Sequence, residues 1–176
     1  PLGYVLRVED QELYFGPRDI GASLVLSAKL GVNLLSLRGS TSVLGQVGTI
    51  TARGWDPATQ KAIAVEVAHT ALASTMGGKQ SGAKLADAAF KAAKSAVLDL
   101  EVAVEDAAKL AAAAELEERA LGHVVCSGRM LGAPTLRPGH VLTVGGFTGR
   151  FAGDYWITSV VHLFDRDGFT TEFEGR

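Results

Sequence analysis

The sequence predicts a mainly-β domain of the α+β class: an antiparallel β-barrel or rolled sheet with one long α-helix on its outside. Three observations carry this. Short runs with apolar residues at every second position recur through most of the 176 residues. Clusters of Gly, Pro and Asp separate them. Only one stretch, Glu105 to Ala120, keeps a helical composition over several turns.

Taken in order, Tyr4–Val8 and Glu12–Phe15 are β-prone runs joined by a turn at Glu9-Asp10-Gln11, and Gly16-Pro17-Arg18-Asp19 breaks the chain. Leu34–Arg38 is a strand, with Leu35 and Leu37 alternating with Ser36 and Arg38. Thr49–Trp55 and Ile63–Val67 form a hairpin closed by Asp56-Pro57-Ala58-Thr59, with proline at its favoured second turn position. Ser74–Gly82 reads as a linker or exposed loop, and Lys84–Lys91 as a short helix. Lys79, Lys84, Lys91 and Lys94 meet only one acid there, Asp87.

Val97–Val104 alternates as a half-buried strand. The following helix has Glu105 and Asp106 at its positive N-terminal end and Gly122 as its stop. Leu110, Ala111, Ala114 and Leu121 form its expected inward stripe, with Glu115, Glu117, Glu118 and Arg119 in water. Strands follow at His123–Leu131, His140–Val144, Tyr155–Phe164 and Phe169–Glu174. The third is apolar on both faces, so it needs a cover on each side; the helix is one candidate and a neighbouring subunit the other. The last two are joined by Asp165-Arg166-Asp167-Gly168.

Composition narrows the function. Hydrophobic residues make up 47% and charged residues 20%, which is globular. A net charge of −2 gives no general attraction to nucleic acid or anionic membranes. No apolar run reaches the roughly 18 residues of a membrane span. The 21 glycines and many alanines, against 7% aromatics, imply a core of small aliphatic side chains with close backbone packing. The single cysteine, Cys126, excludes an internal disulfide and reads as a buried structural thiol. The chain opens on Pro1-Leu2-Gly3 without a charged-then-apolar leader, and reads as a segment of a longer protein.

No catalytic, cofactor-binding or metal-binding set emerges. Gly78-Lys79 fails as a phosphate loop, because Ala73 and Gln80 occupy the required Gly and Ser/Thr positions. His69, His123, His140 and His162 lack the short spacing that places two imidazoles on one metal. Asp165-Arg166-Asp167-Gly168 lacks the later ligands of a calcium loop. Two further function classes would need features of the folded chain: a hydrolase (of peptidoglycan) or protease would need paired carboxylates or a Cys/His couple converging in a cleft, and a small-ligand barrel a roomy apolar cavity.

Two stretches carry more than composition. One is Gly48-Thr49-Ile50-Thr51-Ala52-Arg53-Gly54-Trp55-Asp56-Pro57, continuing to Ile63. The other runs from Gly149 through Phe151, Gly153, Tyr155 and His162 to Gly168, Thr171 and Phe173. Between them lie the helix, Gly132-x-Pro134-x-Leu136 and Pro138-Gly139. In this order they resemble the phage late control D family, itself similar to the hub of the valine-glycine repeat spike proteins of type VI secretion and phage-like contractile injection systems. The resemblance covers Leu34 to Glu174.

The resemblance implies a non-enzymatic baseplate hub. It implies a barrel of the tail-tube type, a homo-oligomer (a trimer in the full hub) and partners in the tail tube protein and a spike. It places assembly in the bacterial cytoplasm, and the product in a virion or an extracellular injection particle. Residues 1–32 would end a preceding subdomain, and residues 33–176 would form the barrel with an insertion at about 70–94. The family's first barrel and its spike lie outside this chain. No family catalytic residues are there to carry over. Arg53, Gly54, Trp55, Asp56, Pro57, Pro138, Gly139, Phe151, Gly153, Tyr155, His162, Gly168, Thr171 and Phe173 are its structural motif positions.

Overall fold

A computed structural model describes residues 3–9, 11–18, 24–71, 81–85 and 95–176. The strands are β1 (Tyr4–Glu9), β2 (Glu12–Pro17), β3 (Leu24–Lys29), β4 (Leu34–Thr41), β5 (Thr49–Asp56) and β6 (Lys61–Ala68). After a 3-10 turn at His69–Ala71 come β7 (Ser95–Asp99), helix α1 (Glu105–Leu121), β8 (Val124–Leu131), β9 (Val141–Gly145), β10 (Gly153–Asp165) and β11 (Gly168–Gly175). The protein is thus mainly β, in the α+β class. The expected linker at 74–82 and short helix at 84–91 fall largely outside the described residues.

The chain divides into two compact units. One comprises Pro1–Arg18, Val43–Ala73 and Gln80–Ala120; the other comprises Asp19–Ser42, Ser74–Lys79 and Leu121–Arg176.

The first unit holds the β1–β2 ribbon, the sheet β6-β5-β7 and α1. Thr49–Asp56 pairs with Lys61–Ala68 in the expected antiparallel hairpin. β7 lies parallel to β5 on its other side. Parallel pairing places successive strands on opposite sides of a shared neighbour only after a long connection, a relationship that alternation cannot reveal. β7 is also shorter than expected, since the ladder stops at Asp99 and residues 100–104 turn across the end of β5. Ala108, Ala112 and Leu116 of α1 pack on Val47, Ile50, Ala52 and Val67. These helix positions recur every fourth residue and so share one face. Leu110, two residues on from Ala108, points away and is exposed, which corrects the expected stripe. Alanines on the buried face let the helix approach the sheet closely. The helix end is tied down by the Gln46 amide, which donates to the Arg119 carbonyl.

The second unit is a six-stranded curled half-barrel of order β3-β9-β10-β11-β8-β4. No element was expected at Leu24–Lys29, yet β3 forms there and runs parallel to β9, so the sheet is mixed rather than wholly antiparallel. Leu34, Cys126, Met130, Leu136, Leu142, Tyr155, Ile157 and Phe173 form its core. β10 is buried on both faces only at Tyr155-Trp156-Ile157; toward the hairpin tip its side chains emerge, and Phe164 is 88% exposed.

Candidate functional site: motif residues and surfaces

The motif residues fall into two groups, one in each unit. In the first unit, Arg53 to Asp56 end β5. Backbone bonds join this end to the crossing segment: Leu100 N–H donates to Arg53 O (2.9 Å), and Trp55 N–H donates to Val102 O (3.2 Å). Gly54 makes the crossing possible, because a Cβ there would lie 2.6 Å from the Val102 carbonyl oxygen. Asp56 closes the turn: its carboxylate accepts from Ala58 N–H (2.8 Å) and from the Thr59 hydroxyl (2.6 Å). The Thr59 hydroxyl and then the Ala58 amide hold this carboxyl below its ordinary pKa. Pro57 follows at the position where its fixed φ suits the turn. Trp55 is 55% exposed, so its ring is available at the surface.

In the second unit the motif is a web of backbone closures. Gly139 has φ +89° and donates to Ile157 O (2.8 Å). The Tyr155 hydroxyl donates to Phe151 O (2.9 Å) from a fully buried ring. Gly168, with φ +115°, ends the β10–β11 turn, where Asp165 accepts from Asp167 N–H (2.9 Å). Gly153 opens β10, and Phe173 is buried in the core. His162 Nδ1 meets Thr171 Oγ1 at 3.0 Å, and Arg137 reaches His162 Nε2 at 3.2 Å. Arg137, next to Pro138, also donates to Pro134 O and Leu136 O.

Among the described residues no three His, Cys, Asp or Glu side chains gather as a metal set. His69 and His123 bond to the carbonyls of Gly48 and Ser42, and His140 accepts from Arg137 N–H. Burial pushes the Cys126 thiol up to about 12, so it is not poised as a nucleophile. An open groove of about 530 Å³ crosses β4, β8, β11 and β10, with Ser36, Arg38, Ser127, Arg129, Glu172 and Glu174 on its floor. Glu172 and Glu174 are exposed.

Surfaces are the more informative feature. Glu117 and Glu118, expected in water, instead engage Arg18: Arg18 Nη2 lies 2.7 Å from Glu118, and Nη1 3.9 Å from Glu117. Burial raises the Glu117 pKa against the lowering pull of Arg18. This pair ties the β1–β2 ribbon to α1, and the ribbon's opposite side is exposed and apolar.

Comparison with solved structures places the fold among tail proteins. A tail protein from Neisseria meningitidis MC58 superposes with a TM-score of 0.68 at 12% identity, over 99% of this chain and 51% of that one. The 43 kDa tail protein of prophage MuSo2 from Shewanella oneidensis gives 0.61 at 15% identity, over 98% and 48%. A chain of a native gene transfer agent virion gives 0.58 at 16%, over 99% and 36%. This chain therefore spans about half the length, or less, of the proteins that share its fold. No curated protein matches it. By sequence, residues 2–165 match the Alg8 N-terminal domain family, and the chain belongs to that family.

Proposed function

We propose that this chain is a structural component of a phage tail or phage-like contractile injection machine: a baseplate hub element that joins tail tube to spike by assembling into a ring. The observation that carries this reading is the match of essentially the whole chain to the fold of two tail proteins and of a chain of a gene transfer agent virion. The half-barrel is then part of a tube-type barrel. Arg53–Pro57 and the Pro138-to-Phe173 positions act as architectural devices that set turns and crossings. In this reading the chain works without a cofactor and as a non-enzyme. Its partners are further copies of itself, a tail tube protein and a spike, and its place is in the finished particle after assembly in the bacterial cytoplasm.

The test is co-sedimentation with assembled tube protein from the same machine, followed by electron microscopy of the tube ends. A ring capping one tube end is the expected result. A chain that never co-sediments with tube or spike protein overturns the reading.

A further inference from the structure

Helix α1 is packed on two sides, and the two contacts differ in kind. Ala108, Ala112 and Leu116 are buried against the sheet that holds β5 and β6. Ala114, two residues from both Ala112 and Leu116, lies on the far side of the helix. There it meets the β1–β2 ribbon: a Cβ on Gly3 would lie 3.0 Å from the Ala114 Cβ. Glu117 and Glu118, three and four residues on from Ala114, continue that side. Arg18 reaches both, with Nη2 2.7 Å from Glu118 and Nη1 3.9 Å from Glu117, and its side chain is 8% exposed. The backbone hydrogen bonds described for the ribbon stay inside it: the ladder from Tyr4–Pro17 to Glu9–Glu12, closed by Arg18 N–H on Gly3 O (3.2 Å). Side chains fasten it to α1.

We infer that the β1–β2 ribbon is a strap that leaves and rejoins α1 as a unit, and that Arg18 with Glu117 and Glu118 is the latch that sets how often it opens. Gly3 and Ala114 are small, so their contact buries little apolar area and holds the strap weakly. A two-stranded ribbon is marginal once parted from its cover, so undocking and loss of its ladder go together. The latch supplies the specific hold. A guanidinium kept almost out of water is costly without its carboxylates. Burial likewise works against the charge of Glu117, and Arg18 offsets this. Arg7, the other cation on this ribbon face, lies over the Tyr14 ring at 5.2 Å, inside the ribbon. The charges of Arg18 and the two acids are therefore matched while strap and helix are together. The sheet contact uses the opposite side of α1, so opening leaves β5, β6 and their core in place. The open form bares the Ala114–Glu118 side of α1. A group that competes for Arg18 or for the two carboxylates trips the latch. This device stands on contacts within the first unit and does not rest on the hub reading.

The test is native-state hydrogen exchange near neutral pH, comparing amides of β1–β2 with those of β5–β6 in the same molecule. Three chains are measured: the parent, a Glu117→Gln/Glu118→Gln double variant, and Arg119→Met. The last breaks the Arg119–Glu115 pair (2.7 Å), which lies within α1, and serves as control. In the parent, ribbon amides should exchange faster than β5–β6 amides, through an opening that spares the sheet. The double variant should lower ribbon protection by at least about tenfold, the scale of a lost hydrogen bond to a charged group, and leave β5–β6 protection unchanged. Arg119→Met should leave ribbon protection at the parent level. Ribbon amides as protected as those of β5–β6 in the parent overturn the strap. A double variant with parental ribbon protection, one that loses protection equally in ribbon and sheet, or a control that loses as much as the double variant overturns the latch.

Discussion

His162 on β10 and Thr171 on β11 face each other directly in the ladder, with Nδ1 3.0 Å from Oγ1. Arg137 fixes the tautomer. A guanidinium can only donate, so His162 Nε2 accepts and Nδ1 carries the hydrogen. The Thr171 oxygen therefore accepts twice, from His162 and from the buried Ala133 N–H at 2.9 Å. Replacing Thr171 by Val keeps the shape and leaves Ala133 N–H without an acceptor. Urea unfolding should show a loss of about 1–3 kcal/mol. Thr171→Ser keeps the oxygen and should cost only about 1 kcal/mol for its missing methyl. A Thr171→Val variant as stable as the parent would show that the hydrogen bond to Ala133 contributes nothing there.

Gly54→Ala should destabilise by about 1–3 kcal/mol, because the added carbon meets a backbone oxygen at 2.6 Å and the crossing segment must shift. Gly145→Ala, where nothing lies within 4 Å, should be close to neutral. Thermal melts of the two variants beside the parent check the contrast.

Asp56 has a lowered carboxyl pKa, so it favours the folded state once ionised. Its contribution is present above the ordinary value of 3.8 and lost as pH falls through the lower folded value. Asp56→Asn should thus be less stable than the parent near neutrality. The gap should close in acid, near pH 2. Urea midpoints of the pair across this range supply the measurement; a gap that persists unchanged in acid would remove the charge from the explanation.

Cys126 and Tyr155 predict the opposite slope at high pH. Burial raises both, Cys126 from 9.0 to about 12, so the unfolded chain releases these protons first. Stability should be flat below about pH 9 and fall as pH rises toward 12. Cys126→Ala should lessen the fall. In native buffer, the thiol should react with an aromatic disulfide reagent only as fast as the protein opens.

Much of this was legible from the residues. The Thr49–Val67 hairpin, the helix from Glu105 and the β10–β11 pair are carried by short-range periodicity and turn chemistry, and all formed as read. Leu24–Lys29 escaped because its partner β9 is over a hundred residues away and the pairing is parallel, with no turn to signal it. Leu110 was misplaced because alanines look alike on both sides of a helix wheel. Only contact with Ile50 and Val67 picks out Ala108 and Ala112. For the β1–β2 ribbon, alternation marks two faces and does not say which one is covered.

Local chemistry therefore determined the class and most of the elements, since alternation, caps and turns act over a few residues. Folding decided the division into two units, the two parallel pairings and the closure of the Arg53–Pro57 turn against Val102. It also decided which face of β1–β2 met α1 and which stayed bare. Those outcomes depend on contacts between residues far apart in the chain, where burial and backbone pairing are set by whichever surfaces meet.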